Sequence, residues 1–394
     1  MSVWRNLFLA DAAEWASAGL RRQRRVVQPV SATQVRVDGK LVTAFASNDY
    51  LGLSRHPRLI EAIAEGARRF GAGSGASHLV SGHQSVHEAL EHELARFAGK
   101  PAALSFINGY VANLALLTTL AGEGDVIFSD QLNHASIVDG ARLSRAAVEV
   151  YAHADVDALE AMLRSSPARL KLVVTDAVFS MDGDVAPLGA LLVLCERHDA
   201  LLVVDDAHGL GVWGPEGRGS MEALDLHSER IVYMGTLGKA AGLSGAFVAA
   251  DRVIIDRMIQ RARPYVFSTA GSPALAHATL TALELIRAAG DAREQLARHR
   301  ERLHDAASAW QPYRLLPSTT AIQPLIIGDN STVVRIADAL LQDGLWVPAI
   351  RPPTVPPGSA RLRIALSAAH SEADLARLGA ALCRVIAGTD ATAA

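Results

Sequence analysis

Between residues 102 and 250 the chain repeats one pattern, a short apolar run followed by a helix-forming stretch. The runs are AALSFI (Ala102–Ile107), VIFSD (Val126–Asp130), VEVY (Val148–Tyr151), KLVVTDAVF (Lys171–Phe179), LLVVDD (Leu201–Asp206), IVYMG (Ile231–Gly235) and GAFVAA (Gly245–Ala250). Most are near-continuous rather than alternating. A strand can be apolar at successive positions only if both of its faces are covered. The pattern therefore predicts an α/β fold, with a mostly parallel seven-stranded sheet between layers of helices. In such a sheet, ligands bind outside the carboxyl ends of the strands.

Further elements flank this core. VTAFA (Val42–Ala46) reads as a strand, and His56–Phe70, Ser85–Ala98 and Gly109–Leu120 read as helices. Pro273–Ser308 reads as a long helix broken at Gly290. Beyond it, AIQPLIIG, a helix at Thr332–Asp343, GLWVPAI, RLRIAL and a helix at Glu372–Ile386 predict a smaller α+β domain. Pro352, Pro353, Pro356 and Pro357 stiffen a loop between two of its strands. The tail AGTDATAA reads as frayed. The expected division is an N-terminal helix and arm at 1–40, a large domain at 41–280 and a small domain at 281–394.

Composition narrows the function. A chain of 394 residues, 50% hydrophobic, is long enough for two such domains. The formal net charge of −3 gives no reason to expect a nucleic-acid partner. The two cysteines, Cys195 and Cys383, lie far apart in helix-like segments and form no disulfide framework or zinc motif. The segment Met1–Arg25 reads as an amphipathic helix with a basic end, without the order of a signal peptide. No apolar stretch approaches the ~20 residues that span a bilayer. A soluble, cytoplasmic protein is the expectation.

Two segments carry the chemistry. LLVVDDAHG (Leu201–Gly209) places Asp205 at the end of an apolar run, with His208 three positions on. GTLGKAAG (Gly235–Gly242) places Lys239 among small neutral residues after another run. A carboxylate at the end of a buried strand is costly without a partner, and an amine in an apolar pocket loses its proton readily. Together they suit pyridoxal phosphate (PLP). Lysine forms an imine with the cofactor, and aspartate keeps the pyridine nitrogen protonated. Strand alternation puts Asp206 on the opposite face from Asp205.

Supporting residues are placed to match. His208 is a candidate donor to the 3′ oxygen, and His134, in DQLNHASIVDG, a candidate to cover the ring. Ser180, in VFSMDGD, is a candidate hydroxyl contact. Asn108–Tyr110 opens a helix, and Gly109 and Tyr110 offer backbone N–H groups to a phosphate. The glycine-rich stretch Gly71–Gly82 is a second candidate phosphate loop. GLGVWG (Gly209–Gly214) fits the dinucleotide spacing but is followed by PEGRG instead of a helix. It leaves a nicotinamide-dependent dehydrogenase as the competing class. His83, His87 and His92 share a helical segment, yet HEALEH is not H-E-x-x-H, and no metal site is expected.

Taken together, these motifs resemble the α-oxoamine synthases, fold-type-I PLP enzymes that condense an amino acid with an acyl thioester. The resemblance runs from about Leu20 to about Ile386. SNDYLGL (Ser47–Leu53), VFSMDGDVAPL (Val178–Leu188), VDDAHGLGVWGPEGRG (Val204–Gly219) and RPPTVPPGSARLRIALSAAH (Arg351–His370) are most similar to the branch that joins L-alanine to a pimeloyl thioester in biotin synthesis. TLGK occurs also in glycine- and succinyl-using relatives, so the glycine acetyltransferase and 5-aminolevulinate branches remain the nearest alternatives. The resemblance implies that Lys239, Asp205, His208 and His134 are catalytic. It adds Gly109, Tyr110, Ser180 and Thr236 as cofactor contacts. Arg21, Asn48, Arg351 and Thr354 fall on substrate-side positions. It further implies a homodimer, with FSTAGSP (Phe267–Pro273) reaching the partner's phosphate. The acyl carrier would be coenzyme A or an acyl carrier protein.

Overall fold

The structure, a computed structural model, describes residues 2–390. Its strands are, in chain order, β1 (Val27–Pro29), β2 (Gln34–Val37), β3 (Lys40–Ala44), β4 (Ala102–Phe106), β5 (Val126–Asp130), β6 (Ala147–Tyr151), β7 (Lys171–Asp176) and β8 (Ala200–Asp205). They continue as β9 (Ile231–Thr236), β10 (Ala246–Ala250), β11 (Arg314–Leu315), β12 (Ile322–Gly328), β13 (Leu345–Trp346), β14 (Ala349–Ile350) and β15 (Ala360–Ala365). The chain divides into two compact units. The larger holds residues 49–180 and 184–294, and the smaller holds residues 1–48, 181–183 and 295–394. These limits differ from the expected ones because residues 40–48 pair with the C-terminal segment.

The larger unit contains a seven-stranded sheet in the order β4-β10-β9-β8-β7-β5-β6. Every strand is parallel except β10, which runs antiparallel to β4 and β9. All of β9 and β10 is buried, as continuous apolar runs require. The edge strand β6 is mostly open, which is why VEVY tolerates Glu149. On one face the helix Gly109–Leu120 buries Ala112, Ala115, Leu116 and Leu117 in a cluster with Leu172, Val174, Val203, Val232 and Val248. Each such leucine contributes roughly 1.5–3 kcal/mol by leaving water. The long helix reading resolves into Pro273–Ala288 and Gly290–Ala306, parted at the expected place. Cys195 lies buried in the helix Leu188–Arg197.

The smaller unit has two four-stranded sheets, β1-β2-β3-β13 and β11-β12-β15-β14. GLWVPAI is not one strand. It splits into β13 and β14, which belong to different sheets. Pro348 lies between them; it donates no N–H to a ladder, and its carbonyl accepts from Arg363 N. β13 pairs in parallel with β3, so the segment before residue 45 is tied in by its backbone. Phe45 stacks on His370 with ring centroids 4.1 Å apart. The last helix runs Glu372–Asp390, past the expected end at Ile386, so Ala387–Asp390 are helical and not frayed. Residues 391–394 of the expected frayed tail lie outside the described residues. The N-terminal helix, Val3–Ser17, forms as expected but is not amphipathic. Its apolar residues are not confined to one face, and none is buried. Among the described residues no helix is long and apolar enough to cross a membrane.

Candidate active site

Three neighbouring parallel strands of the larger unit, β7, β8 and β9, end at the same edge, and the candidate residues collect there. Asp205 closes β8 and is 4% exposed. Its Oδ2 accepts from Asn113 Nδ2 at 2.7 Å and its Oδ1 from Ala207 N at 3.0 Å. Both of these donors are neutral. Asn113 is a buried polar residue in a mostly apolar helix and also donates to Ser136 Oγ at 2.9 Å.

Asp206 faces the other way, as strand alternation predicts. It accepts from Ser220 N at 2.7 Å, Ser220 Oγ at 2.5 Å and Tyr233 OH at 3.0 Å. Burial pushes its carboxyl up to about 7. A side chain at Gly209 or Gly219 would strike Asp206, with Cβ 2.1 or 2.0 Å from a carboxylate oxygen. The glycines of the dinucleotide-like motif therefore include one that folds a loop around a buried acid. A helix of only Ser220–Ala223 follows.

Lys239 lies in the turn after β9, partly buried, with Nζ 2.8 Å from His208 Nε2. The other nitrogen of His208 is 2.7 Å from Tyr50 OH. Thr236 closes β9 and donates to Gly245 O at 3.1 Å. Ser180 follows the Val178–Val185 bridge in a turn after β7. Gly109 and Tyr110 open the helix Gly109–Leu120, whose first intrahelical bond runs from Ala112 N to Asn108 O. Asn108 caps Val111 N at 2.9 Å, so the Gly109 and Tyr110 amides point out of the helix end. The Tyr110 hydroxyl donates to Asp139.

His134 caps the helix Ala135–Ser144 and accepts from Ser136 N through Nδ1. Its backbone N–H donates to Asp176 Oδ2 at 2.6 Å. Desolvation lowers the His134 pKa, against an upward pull from Asp205. Asp176 is the register partner of Asp205 on β7, and burial together with the Asp205 charge holds its carboxyl well above the usual range. Asn133 locks the same corner, accepting from Asp176 N at 2.9 Å and donating to Val174 O at 2.7 Å.

The four substrate-side candidates all lie in the smaller unit. Arg21 and Arg351 line one cleft of about 430 Å³ with Trp346 and Pro348. Arg351 and Thr354 line another of about 260 Å³. The Arg351 guanidinium donates to Gly19 O. Asn48 Oδ1 accepts from Arg363 Nη1 at 3.1 Å. Arg363 is 6% exposed and carries a buried charge beside Asn48, a role the sequence reading missed. Asn113, Tyr50 and Asp176 were missed likewise. For Asn113 and Asp176 the sequence trace is a polar residue inside an apolar run; Tyr50, in SNDYLGL, carries none.

His83 stacks on His87 with ring centroids 5.9 Å apart and shares Glu88 with His92, at 2.9 and 3.0 Å. His87 also bonds to Gly271 O at 3.0 Å, and Glu91 lies with His83 and Glu88.

This donor set suits PLP. A buried carboxylate steadied by neutral donors fits a pyridinium N–H, helix-end amides fit a phosphate, and an amine stands beside an imidazole. Residues 40–382 match the family model for aminotransferase class I and II. The chain belongs to that family, and within it to the α-oxoamine synthases, enzymes that use PLP for acyl transfer. Among its curated relatives, the 8-amino-7-oxononanoate synthase of Burkholderia thailandensis is 57% identical over 378 residues, 94% of this chain and 95% of the relative. That of Paraburkholderia xenovorans is 57% identical over 372 residues, covering 92% and 94%. The Sphingomonas wittichii serine palmitoyltransferase superposes with a TM-score of 0.92 at 32% identity, covering 99% and 98%. The 8-amino-7-oxononanoate synthase of Francisella tularensis superposes at 0.77 with 28% identity, covering 90% and 99%.

Proposed function

We propose that this chain catalyses the decarboxylative condensation of L-alanine with a pimeloyl thioester, giving 8-amino-7-oxononanoate, carbon dioxide and the free thiol carrier. The observation that carries this is the identity of 57% over 94% of the chain to an enzyme named for that product. When bound, PLP supplies an electrophilic carbon for the amine and an electron sink for charge at the substrate α-carbon. Lys239 would hold the cofactor covalently and, once released by the incoming amine, take the α-proton. His208, 2.8 Å from its Nζ, sets the lysine's position. Asp205 would keep a proton on the ring nitrogen, steadied by Asn113. His134 and Ser180 would contact the ring, with Thr236 beside them. The amides of Gly109 and Tyr110 would bind the phosphate.

Arg351 would bind the alanine carboxylate bidentately, a task for a planar guanidinium. Arg363 donates to the Asn48 carbonyl oxygen and so would hold Asn48 in place on the substrate side. Arg21 would meet the far carboxylate of the acyl chain or a carrier phosphate, with Thr354 beside Arg351. In the overall reaction the α-carbon forms a bond to the acyl carbon as the carbon–sulfur bond breaks. The amino-acid carboxyl then leaves as carbon dioxide, and a proton replaces it.

We further infer a cytoplasmic homodimer. Leu79, Val80, Phe267 and Tyr110 are exposed on the larger unit, at 52%, 79%, 70% and 42%, and a second copy would cover them. The test is a matrix of amino acids against acyl thioesters, on coenzyme A and on acyl carrier protein, read by product mass. L-Alanine with a pimeloyl thioester is expected to give the highest kcat/KM. Glycine with acetyl-coenzyme A as the best pair would overturn the reading. Sedimentation of the purified protein tests the dimer.

A further inference from the structure

We propose that His153 is a positioning residue, a cationic bridge that ties the loop bearing His134 to the loop bearing Ser180. It follows β6 in a segment, YAHAD, that reads as an ordinary turn. Its ring is held on three sides. Nδ1 lies 3.0 Å from Asp130 Oδ1, Nε2 lies 2.6 Å from Asp184 Oδ2, and the ring stands edge-on to Phe179 with centroids 4.4 Å apart. A neutral imidazole has a single N–H and would turn a lone pair toward one carboxylate. Only the imidazolium donates to both. The two carboxylates accordingly raise the His153 pKa to about 10.

Each carboxylate belongs to a different loop. Asp130 ends β5, four residues before His134. It also accepts from Leu132 N at 2.8 Å and Ala154 N at 2.9 Å, and its carbonyl accepts from Asn133 N at 3.2 Å. Asp130 is 3% exposed, so without His153 its charge would be buried with neutral donors alone. Asp184 closes the turn after β7, where its carbonyl accepts from Phe179 N at 3.0 Å, next to Ser180. Two further ionisable groups, Asp176 and Tyr151, feel the Asp130 charge. One imidazolium thus links two turns that would place side chains against the same ring. Contacts of this kind usually act by fixing geometry, and displacements of about 1 Å can lower rates about a hundredfold.

The inference rests on the assignment of His134 and Ser180 to the cofactor. The test measures PLP affinity by titration of the cofactor-free protein, the visible circular dichroism of bound PLP, and the unfolding temperature. His153→Gln is expected to weaken PLP binding about tenfold or more and to shrink the visible dichroism per bound cofactor. His153→Lys, which keeps the charge, is expected to recover part of both. Asp184→Asn, which cuts only the more open link, should fold and shift both readings in the same direction by less. If His153→Gln or Asp184→Asn lowers the unfolding temperature while PLP affinity and dichroism stay within about twofold, the residue is merely structural and the proposal fails. If His134→Ala and Ser180→Ala leave both cofactor readings unchanged, the assignment of those two residues falls, and the proposal with it.

Discussion

Asn113 Nδ2 donates to Asp205 Oδ2 at 2.7 Å, from a helix to the end of a strand that are 92 residues apart in sequence. The bond aims a buried carboxylate without neutralising it, so its charge stays available to a cationic partner. Asp205→Asn keeps the size and removes the charge. It is expected to lower kcat by about a hundredfold or more, with PLP bound more weakly. Asn113→Ala should leave the charge in place and cost less, about tenfold in PLP affinity. Absorbance titration with PLP and steady-state kinetics check both.

Lys239→Ala is expected to bind PLP without a covalent bond and to lose about three orders of magnitude or more in kcat. Borohydride should fix the cofactor to the wild-type chain but not to this variant, as intact-protein mass spectrometry would show. Near-normal turnover would remove Lys239 from the role assigned to it.

Arg351→Lys keeps the charge but loses the fork that binds a carboxylate through two parallel bonds. The expected outcome is a KM for alanine raised about tenfold, with the KM for the thioester little changed. Arg363→Lys should raise the same KM through Asn48. A larger effect at the thioester would place these arginines on the acyl side.

The pH dependence of stability should show His370. Its Nδ1 accepts from Ser367 N at 3.0 Å and its Nε2 donates to Ala44 O at 3.0 Å, a pair that only the neutral ring can make. Burial lowers its pKa from 6.5 to about 4. The unfolded chain then binds the proton more readily. The contribution is present above pH 6.5 and is lost as pH falls toward 4, on the order of 3 kcal/mol in full. His78, also lowered to about 4 by burial and by His83 and His87, acts in the same direction. Denaturant unfolding at pH 7.5 and pH 5 should show wild type losing more stability than His370→Asn.

Much of this protein is legible along the chain. Runs such as LLVVDD and IVYMG fit only strands covered on both faces, and that requirement yields a mostly parallel sheet between layers of helices. Asp205 and Lys239 stand out because a charge at the end of an apolar run demands a reason. GLWVPAI shows where such reading fails. One apolar run serves two sheets, because a proline without an N–H ends one ladder and the tertiary packing supplies another. The N-terminal helix shows the same in reverse, since local propensity makes a helix but does not decide what covers it.

What the sequence determined alone was the local chemistry, namely strand periodicity, the helix start at Asn108 and the acid and amine at strand ends. Each depends on neighbours a few residues away. What only the tertiary structure decided was pairing at a distance. It brought Asn113 to Asp205, Tyr50 to His208, Arg363 to Asn48 and His153 between two aspartates. A histidine or asparagine carries no mark of its partner until chain closure brings two buried polar groups together, because burial makes an unmet hydrogen bond costly.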